Sequence, residues 1–226
     1  ANGLLKTNIK VQLDYDLTNE LSLTGKYARD SYSEMFESKK AYSNYEALKG
    51  GYTISNDYRK EQNFDLMLNY KKSFDNSWSL NAMAGANRLE QYYQSLYNAT
   101  TELVIPGLYT IANGAPGTFN PLSSFSRKLL YGVYASASIG FKDLVYLDLT
   151  ARNDWTSTLK KGNNSYFYPS ASLSLLVSEV VKMPSWVDFA KVRAGFAQVG
   201  NDVDPYSRSQ TFSTALDWGS AKRMYM

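Results

Sequence analysis

A basic and an acidic side chain stand two residues apart, at Arg152 and Asp154, with Trp155 directly after them. A guanidinium and a carboxylate at this spacing can pair with each other or hydrogen-bond a polar solute. Tyr166 and Tyr168 share one phase farther along the chain, and their aromatic faces could stack on sugar rings. The simpler alternative, a ladder of solvated charges beside tyrosines that anchor the chain at an interface, stays open.

Five further residues are candidates for solute contact because of their positions. Arg193 is out of phase with its apolar neighbours Val192 and Ala194, which predicts that it lies on a polar face. The other four are tyrosines in a stretch rich in Pro and Gly, which predicts a loop, and binding residues concentrate on loops held by a rigid scaffold. These tyrosines are Tyr92, Tyr93, Tyr97 and Tyr109.

The composition excludes most catalytic chemistry. The 226 residues include no His and no Cys, so the commonest general base, the commonest zinc ligand and every thiol nucleophile are missing. We therefore predict no catalytic, cofactor or metal site. Asn201, Asp202 and Asp204 supply oxygen ligands, but the bidentate Glu that completes a calcium loop is missing. The 24 basic and 21 acidic residues form no basic block, which argues against a nucleic-acid partner.

These candidates must be positioned by strands, because apolar side chains recur with period two in four pairs of segments between Leu5 and Asn201. In the first segment, residues 9–17, the odd positions are apolar and the even positions are polar, a pattern that no helix can satisfy. Each pair closes with a short turn and is followed by a polar stretch. The predicted long loops are residues 31–58, 90–124, 156–164 and 200–208.

Strands joined alternately by short and long connections are typical of outer-membrane β-barrels, whose tilted strands of about ten residues cross the bilayer. Aromatic residues at both strand ends predict two interfacial belts. Those near the short turns are Phe74, Trp78, Phe141, Tyr146, Trp186 and Phe189, and those near the long loops are Tyr27, Tyr131, Trp155, Tyr166 and Phe167. A soluble antiparallel sandwich, which also alternates with period two, is the structural alternative.

Three ordered blocks carry a family resemblance. They are ARNDWTSTL at 151–159, NSYFYPSASLS at 164–174 and KVRAGFAQVGND at 191–202. Together they resemble the mid-barrel of the SusC/RagA-type TonB-dependent outer-membrane transporters. The resemblance covers about 50 residues strongly, and the first 150 residues match mainly in architecture.

The resemblance implies an all-β, antiparallel transmembrane barrel of about 22 strands, of which this chain would supply about eight as an interior segment. It also implies a plug domain and a TonB-contacting segment outside this chain, a SusD-like surface lipoprotein as a lid, and import of an oligosaccharide or peptide across the Gram-negative outer membrane. In that setting the candidate residues would face the solute or the plug. The alternative function is a small autonomous outer-membrane barrel with a structural or adhesive role.

Overall fold

The computed structural model describes residues 2–45, 47–74, 77–160, 162–181, 183–184, 186–200, 213–214 and 224–225. Its main element is one eight-stranded antiparallel sheet in which every strand pairs with its neighbours in sequence. The strands are β1 (Asn2–Asp16), β2 (Leu21–Asn44), β3 (Ala47–Phe74), β4 (Trp78–Thr100), β5 (Phe119–Phe141), β6 (Val145–Thr156), β7 (Ser165–Leu176) and β8 (Lys191–Ala197). The predicted all-β class and the four hairpins are confirmed.

Short elements complete the described part of the chain. Two 3₁₀ turns span Ile111–Asn113 and Val177–Glu179, and β9 (Ser213–Thr214) pairs with β10 (Met224–Tyr225). Within the described ranges, no helix has both the length and the apolar character needed to cross a membrane.

One face of the sheet, here called the apolar face, carries hydrophobic side chains on all eight strands. Residues in register share a face because side chains alternate along a strand. One such row contains Leu21, Tyr70, Ala82, Ala137, Leu149, Ala171 and Phe196. Leu66, Val133 and Leu173 on this face are 55%, 53% and 51% exposed. Nothing in the described residues therefore covers this band.

The prediction that residues 31–58 form a loop is wrong, because most of this range belongs to strands. The strands β2 and β3 continue through it, paired from Leu21 with Tyr70 to Asn44 with Ala47, so that only two residues separate the strands in the sequence. The sequence in this extension is polar on both faces. Hydrophobic alternation is therefore lost, although the backbone hydrogen bonds that define the strands persist.

The predicted loop at residues 90–124 is also too long, for the same reason. The strand β4 continues to Thr100 and β5 begins at Phe119, which leaves residues 101–118 as the connection. Residues 157–164 connect β6 to β7. The fourth predicted loop, 200–208, lies outside the described residues except for Gly200.

Residues 101–118, here called the cap loop, fold back onto the tip of the hairpin formed by β2 and β3. The buried apolar side chains of the described residues gather there, and they are Ala47, Tyr52, Ala99 and Leu103. The amide of Leu103 donates a hydrogen bond to the carbonyl of Lys49 at 3.1 Å, and Lys49 Nζ lies 2.9 Å from Glu102 Oε2. The hydrogen bond to Glu102, reinforced by its charge, raises the pKa of Lys49. The hairpin tip is thus a small packed unit rather than an open loop.

Candidate functional site

The sheet face opposite the apolar face, here called the polar face, brings most of the predicted site residues together. Alternation places Arg152 and Asp154 on this face, next to Tyr168 and Tyr166 of β7 in the pairing register. On the other side of β6, Arg152 pairs with Tyr134 of β5. The row through Arg152 continues by register across β4, β3, β2 and β1. The site is therefore a surface shared by many strands rather than a pocket on one loop.

A row of polar side chains in register, here called the polar ladder, crosses this face from β3 to β7. Its members are Asn63, Asp65, Asn87, Tyr134, Arg152, Asp154, Tyr166 and Tyr168. Asp65 is its acceptor on β3. The Asn87 amide donates to Asp65 Oδ1 at 2.9 Å and Asn63 donates to Oδ2 at 2.7 Å, while the Tyr134 hydroxyl donates to Oδ1 at 3.3 Å. Three donors on three strands thus hold one carboxylate.

Arg152 and Asp154 form an ion pair within this ladder. The Arg152 Nε–H lies 2.7 Å from Asp154 Oδ1 and 2.9 Å from Oδ2, and the guanidinium also lies over the Tyr134 ring at 5.5 Å. Gly132 leaves the room that the pair needs, because a Cβ there would lie 2.5 Å from Asp154 Oδ1. Asp154 is buried, at 8% exposure. The carboxylate is therefore committed to Arg152, and the remaining guanidinium N–H groups can face a solute.

The two tyrosines of β7 stack against each other, with ring centroids 6.3 Å apart and planes inclined by 20°. Trp155, however, is not part of this group. It pairs with Tyr131 and Ser165 in the alternate phase, so it lies on the apolar face and is 40% exposed. The predicted grouping of Trp155 with Arg152 and Asp154 is thus corrected by the alternation of the strand, while its predicted place in an aromatic belt fits the apolar face.

Arg193 lies on the polar face as predicted from its phase, but far from the ladder. It pairs with Ser174, six residues along β7 from the Tyr168 that neighbours Arg152. Tyr146 occupies the same row through its pairing with Ser174. Tyr146 and Tyr166 therefore lie on the polar face, and their predicted assignment to aromatic belts is wrong.

The four tyrosines that were predicted to lie in one loop belong to two different elements. Tyr92, Tyr93 and Tyr97 belong to β4, not to a loop, and only Tyr109 lies in the cap loop. Tyr92 is on the side of the apolar face, near the ring of Tyr58 at 6.2 Å. Tyr93 and Tyr97 are on the polar side by alternation.

Tyr109 packs on the hairpin tip, where its ring centroid lies 6.5 Å from that of Tyr52. The Tyr52 hydroxyl donates to Glu37 Oε1 at 3.0 Å. Burial, and then the hydrogen bond to Glu37, raises the pKa of Tyr52, so this phenol stays protonated and remains a donor at neutral pH. Tyr109 is thus held in place by a packed tip.

Sequence reasoning missed Tyr32 and Arg59, which lie beside Tyr93 on the polar side. The register places Tyr32 opposite Arg59 and Arg59 opposite Tyr93. Tyr32 falls in the stretch 31–58 that was predicted as a loop, and Arg59 directly follows it. Extending the period-two phase of β3 backwards from Phe64 would have found Arg59, because it is an odd residue like Asp65. Among the described residues, no group of three or more acidic side chains could hold a metal ion.

Replacing Gly85 with Val is expected to destabilise the sheet by about 1–3 kcal/mol through overpacking. A Cβ at Gly85 would lie 2.6 Å from Tyr134 Cζ, so the ring must move and weaken its contacts with Asp65 and Arg152. The urea dependence of unfolding measures the change. Gly25→Val is the matched control, because no atom beyond its two chain neighbours lies within 4 Å of the point that a Cβ would occupy there. If both variants lose equal stability, contact with the Tyr134 ring is not the cause of the loss in Gly85→Val.

Comparisons with known proteins show which solved structures share the fold of this sheet. No protein-family model matches the sequence, and no curated protein matches it. Solved structures do. A chain in the structure of the RagAB peptide transporter superposes with a TM-score of 0.81 at 15% sequence identity, covering 100% of this chain and 26% of that one. This chain shares its fold with part of RagAB.

Two further RagAB structures agree with the first. The RagAB peptide importer in the open-open state gives a TM-score of 0.80 at 15% identity over 99% of this chain, and the closed-closed state gives 0.81 at 15% over 100%. The chain spans about a quarter of the solved chains it matches, 26% in each case. The likeness is therefore one of fold, over the full eight-stranded sheet.

Proposed function

We propose that this chain forms part of the wall of an outer-membrane import barrel of the SusC/RagA TonB-dependent type. The observation that carries the proposal is the contrast between the two faces of the sheet. An exposed apolar band crosses all eight strands, and the opposite face holds the polar ladder. Such a band is unfavourable in water but matches the hydrocarbon of a bilayer.

The height of the band suits a bilayer. On β4 it extends from Trp78 to Ala86, a length of about 27 Å at about 3.4 Å per residue, which tilt shortens toward the ~25 Å apolar band of such barrels. Beyond it, the same face becomes charged, and Glu90 lies 2.9 Å from both Arg88 and Arg127. The band therefore has a defined upper edge.

Aromatic residues mark both edges of the band. Near the short turns, the Trp78 and Phe141 rings lie 4.6 Å apart, and near the long connections Tyr27 and Phe64 also lie 4.6 Å apart. Amphipathic and aromatic rings of this kind prefer the boundary between lipid and water. Both edges thus support a membrane orientation in which the long hairpins project from one side.

The sheet gives less support to the two alternatives. A soluble sandwich needs a second sheet large enough to cover the apolar face, and the second sheet of the described residues is only the two-residue pair of β9 and β10. A small autonomous barrel needs β1 to pair with β8, whereas these strands form opposite edges of the described sheet. Unpaired edges within a bilayer are very unfavourable. A wall segment flanked by further strands satisfies both edges.

The remaining parts of the proposal concern the whole protein. A plug domain would lie within the barrel and connect it to the TonB complex, and a SusD-like lipoprotein would cover the side with the long hairpins. The polar ladder, Tyr93, Tyr97 and Arg193 would face the plug or the solute. RagAB is a peptide transporter, so the fold likeness favours a peptide over an oligosaccharide as cargo.

Single-cysteine labelling in intact outer membranes tests the wall assignment. The 226 residues contain no Cys, which makes the background clean for this chain. We expect a small, membrane-impermeant thiol reagent to label Ser136→Cys and Ser138→Cys in the full-length protein but not Ala135→Cys or Ala137→Cys. The reason is that consecutive residues of β5 face water and lipid alternately.

The labelling has an internal control, because all four variants place the same thiol side chain on one strand. Denaturation should make the four positions equally reactive. Equal labelling of all four in the native membrane would mean that both faces contact water, and the wall assignment would then be wrong.

A further inference from the structure

On the polar side, beyond the apolar band, the first five strands form an open cleft of about 730 Å³. Its charged lining contains more basic than acidic side chains. From the polar side, three basic residues and two acidic residues line it, namely Lys6, Arg59 and Lys128 with Asp30 and Glu61. A cleft of this sign attracts anionic groups.

Arg59 occupies the middle of the cleft and is held there by two aromatic rings. Its guanidinium carbon lies 4.9 Å from the Tyr93 ring centroid and 5.5 Å from that of Tyr32. The Tyr93 hydroxyl is anchored in turn, since it donates to Asp57 Oδ1 at 3.4 Å. Cation–π contacts on both neighbouring strands reduce the rotamer freedom that Arg59 would lose on binding a ligand.

The acidic groups around Arg59 are already satisfied by other donors. Asn8 donates to Asp30, Gln91 donates to Glu61 at 2.8 Å, and Asp57 accepts from Tyr93. Among the described residues, Arg59 contacts two rings and has no carboxylate partner. Its side chain is exposed. A planar guanidinium in this state keeps its N–H donors available for a bidentate bond with a carboxylate.

We propose that Arg59 is a specificity residue that binds a carboxylate of the imported cargo, and that the cargo is a short acidic peptide. The inference rests on the proposed import function. The faces of Tyr32 and Tyr93 next to Arg59 are occupied by its guanidinium, so they are not free to stack on the ring of an acidic sugar. The polar lining from Gln91 and Ser126 suits a peptide backbone.

The test compares two blocked pentapeptides, each acetylated and amidated, with four Ala residues around a central Asp or a central Asn. Binding to the full-length protein with its natural partners, purified in detergent, is measured by calorimetry. We expect the Asp peptide to bind the unmodified protein about tenfold more tightly or better, as a hydrogen-bonded ion pair implies. Arg59→Gln should abolish this preference, and Arg59→Lys should restore only part of it.

Lys60→Gln is the matched control, because it removes the same charge one residue away. Its ammonium lies over Tyr92, on the other side of the sheet, and the preference should survive. An unmodified protein that prefers neither peptide, or binds neither, overturns the inference. So does a preference that persists in Arg59→Gln, or binding of trigalacturonate in place of the Asp peptide. Cysteine labelling of β5 decides the wall assignment independently of each of these results.

Discussion

Ala135→Arg is expected to lower the free energy of unfolding in a lipid bilayer by about 2–4 kcal/mol. Ala135 lies in the middle of the apolar face, in one row with Ala84 and Ala151. A guanidinium at this depth must lose its hydration or distort the bilayer, and no acidic residue shares its row to pair with it. Urea-dependent unfolding of the full-length protein in lipid vesicles measures the difference.

Ser136→Arg is the control for this prediction because it places the same side chain one residue away on the polar face. Ser136 pairs with Met83 and Thr150, beside the polar ladder. We expect a change within about 0.5 kcal/mol, as for most substitutions on a solvated surface. If the two variants lose equal stability, the penalty comes from bulk or backbone strain, and the apolar face does not contact lipid.

Asn113→Ala is expected to release the cap loop from the hairpin tip. The Asn113 side chain is buried at 7% exposure and accepts from the Ile105 amide at 3.0 Å, while its Nδ2 donates to the carbonyls of Ile105 and Leu108, both at 2.8 Å. Alanine leaves the Ile105 amide without this acceptor, while the two carbonyls keep only their backbone donors, the amides of Leu108 at 3.4 Å and Thr110 at 3.2 Å. The local free energy of opening should fall by about 2 kcal/mol or more, which is roughly 30-fold faster hydrogen exchange at Ile105.

Two companion variants separate the hydrogen bonds from other effects of the Asn113 substitution. Asn113→Asp keeps the acceptor for the Ile105 amide but loses both donated bonds, so its exchange rate should fall between those of the unmodified protein and Asn113→Ala. Asn98→Ala removes an amide near the end of β4, outside the cap loop, and should leave the loop unchanged. Unaltered exchange in Asn113→Ala would show that apolar packing of Leu103 alone holds the cap loop.

Strand pairing in the middle of the sheet could be predicted from the sequence because one face is apolar. Between Tyr131 and Ala151, every second residue of β5 and most alternate residues of β6 are hydrophobic, and the turn at Lys142 and Asp143 fixes the register. Lys142 and Asp143 adopt positive φ values of 50° and 57°, which close the hairpin. The same reasoning placed Arg152 and Arg193 on the polar face.

The distant ends of the strands could not be predicted in this way. Between residues 31 and 58 both faces of the hairpin meet water, so side-chain type no longer reports the alternation of the backbone. The Tyr32–Arg59–Tyr93 stack was missed for this reason, as were the strand positions of Tyr92 and Tyr97.

The amino-acid sequence is enough to establish the local properties of this protein: an all-β chain with one apolar face, four hairpins, and no His or Cys for catalysis. These follow from side-chain chemistry read at a period of two. The three-dimensional pairing of the strands was needed to show which residues meet, such as Arg152 with Tyr134 and Tyr168, and which separate, such as Trp155 from Asp154. Register is set by long-range backbone pairing, and a shift of one residue would exchange the two faces.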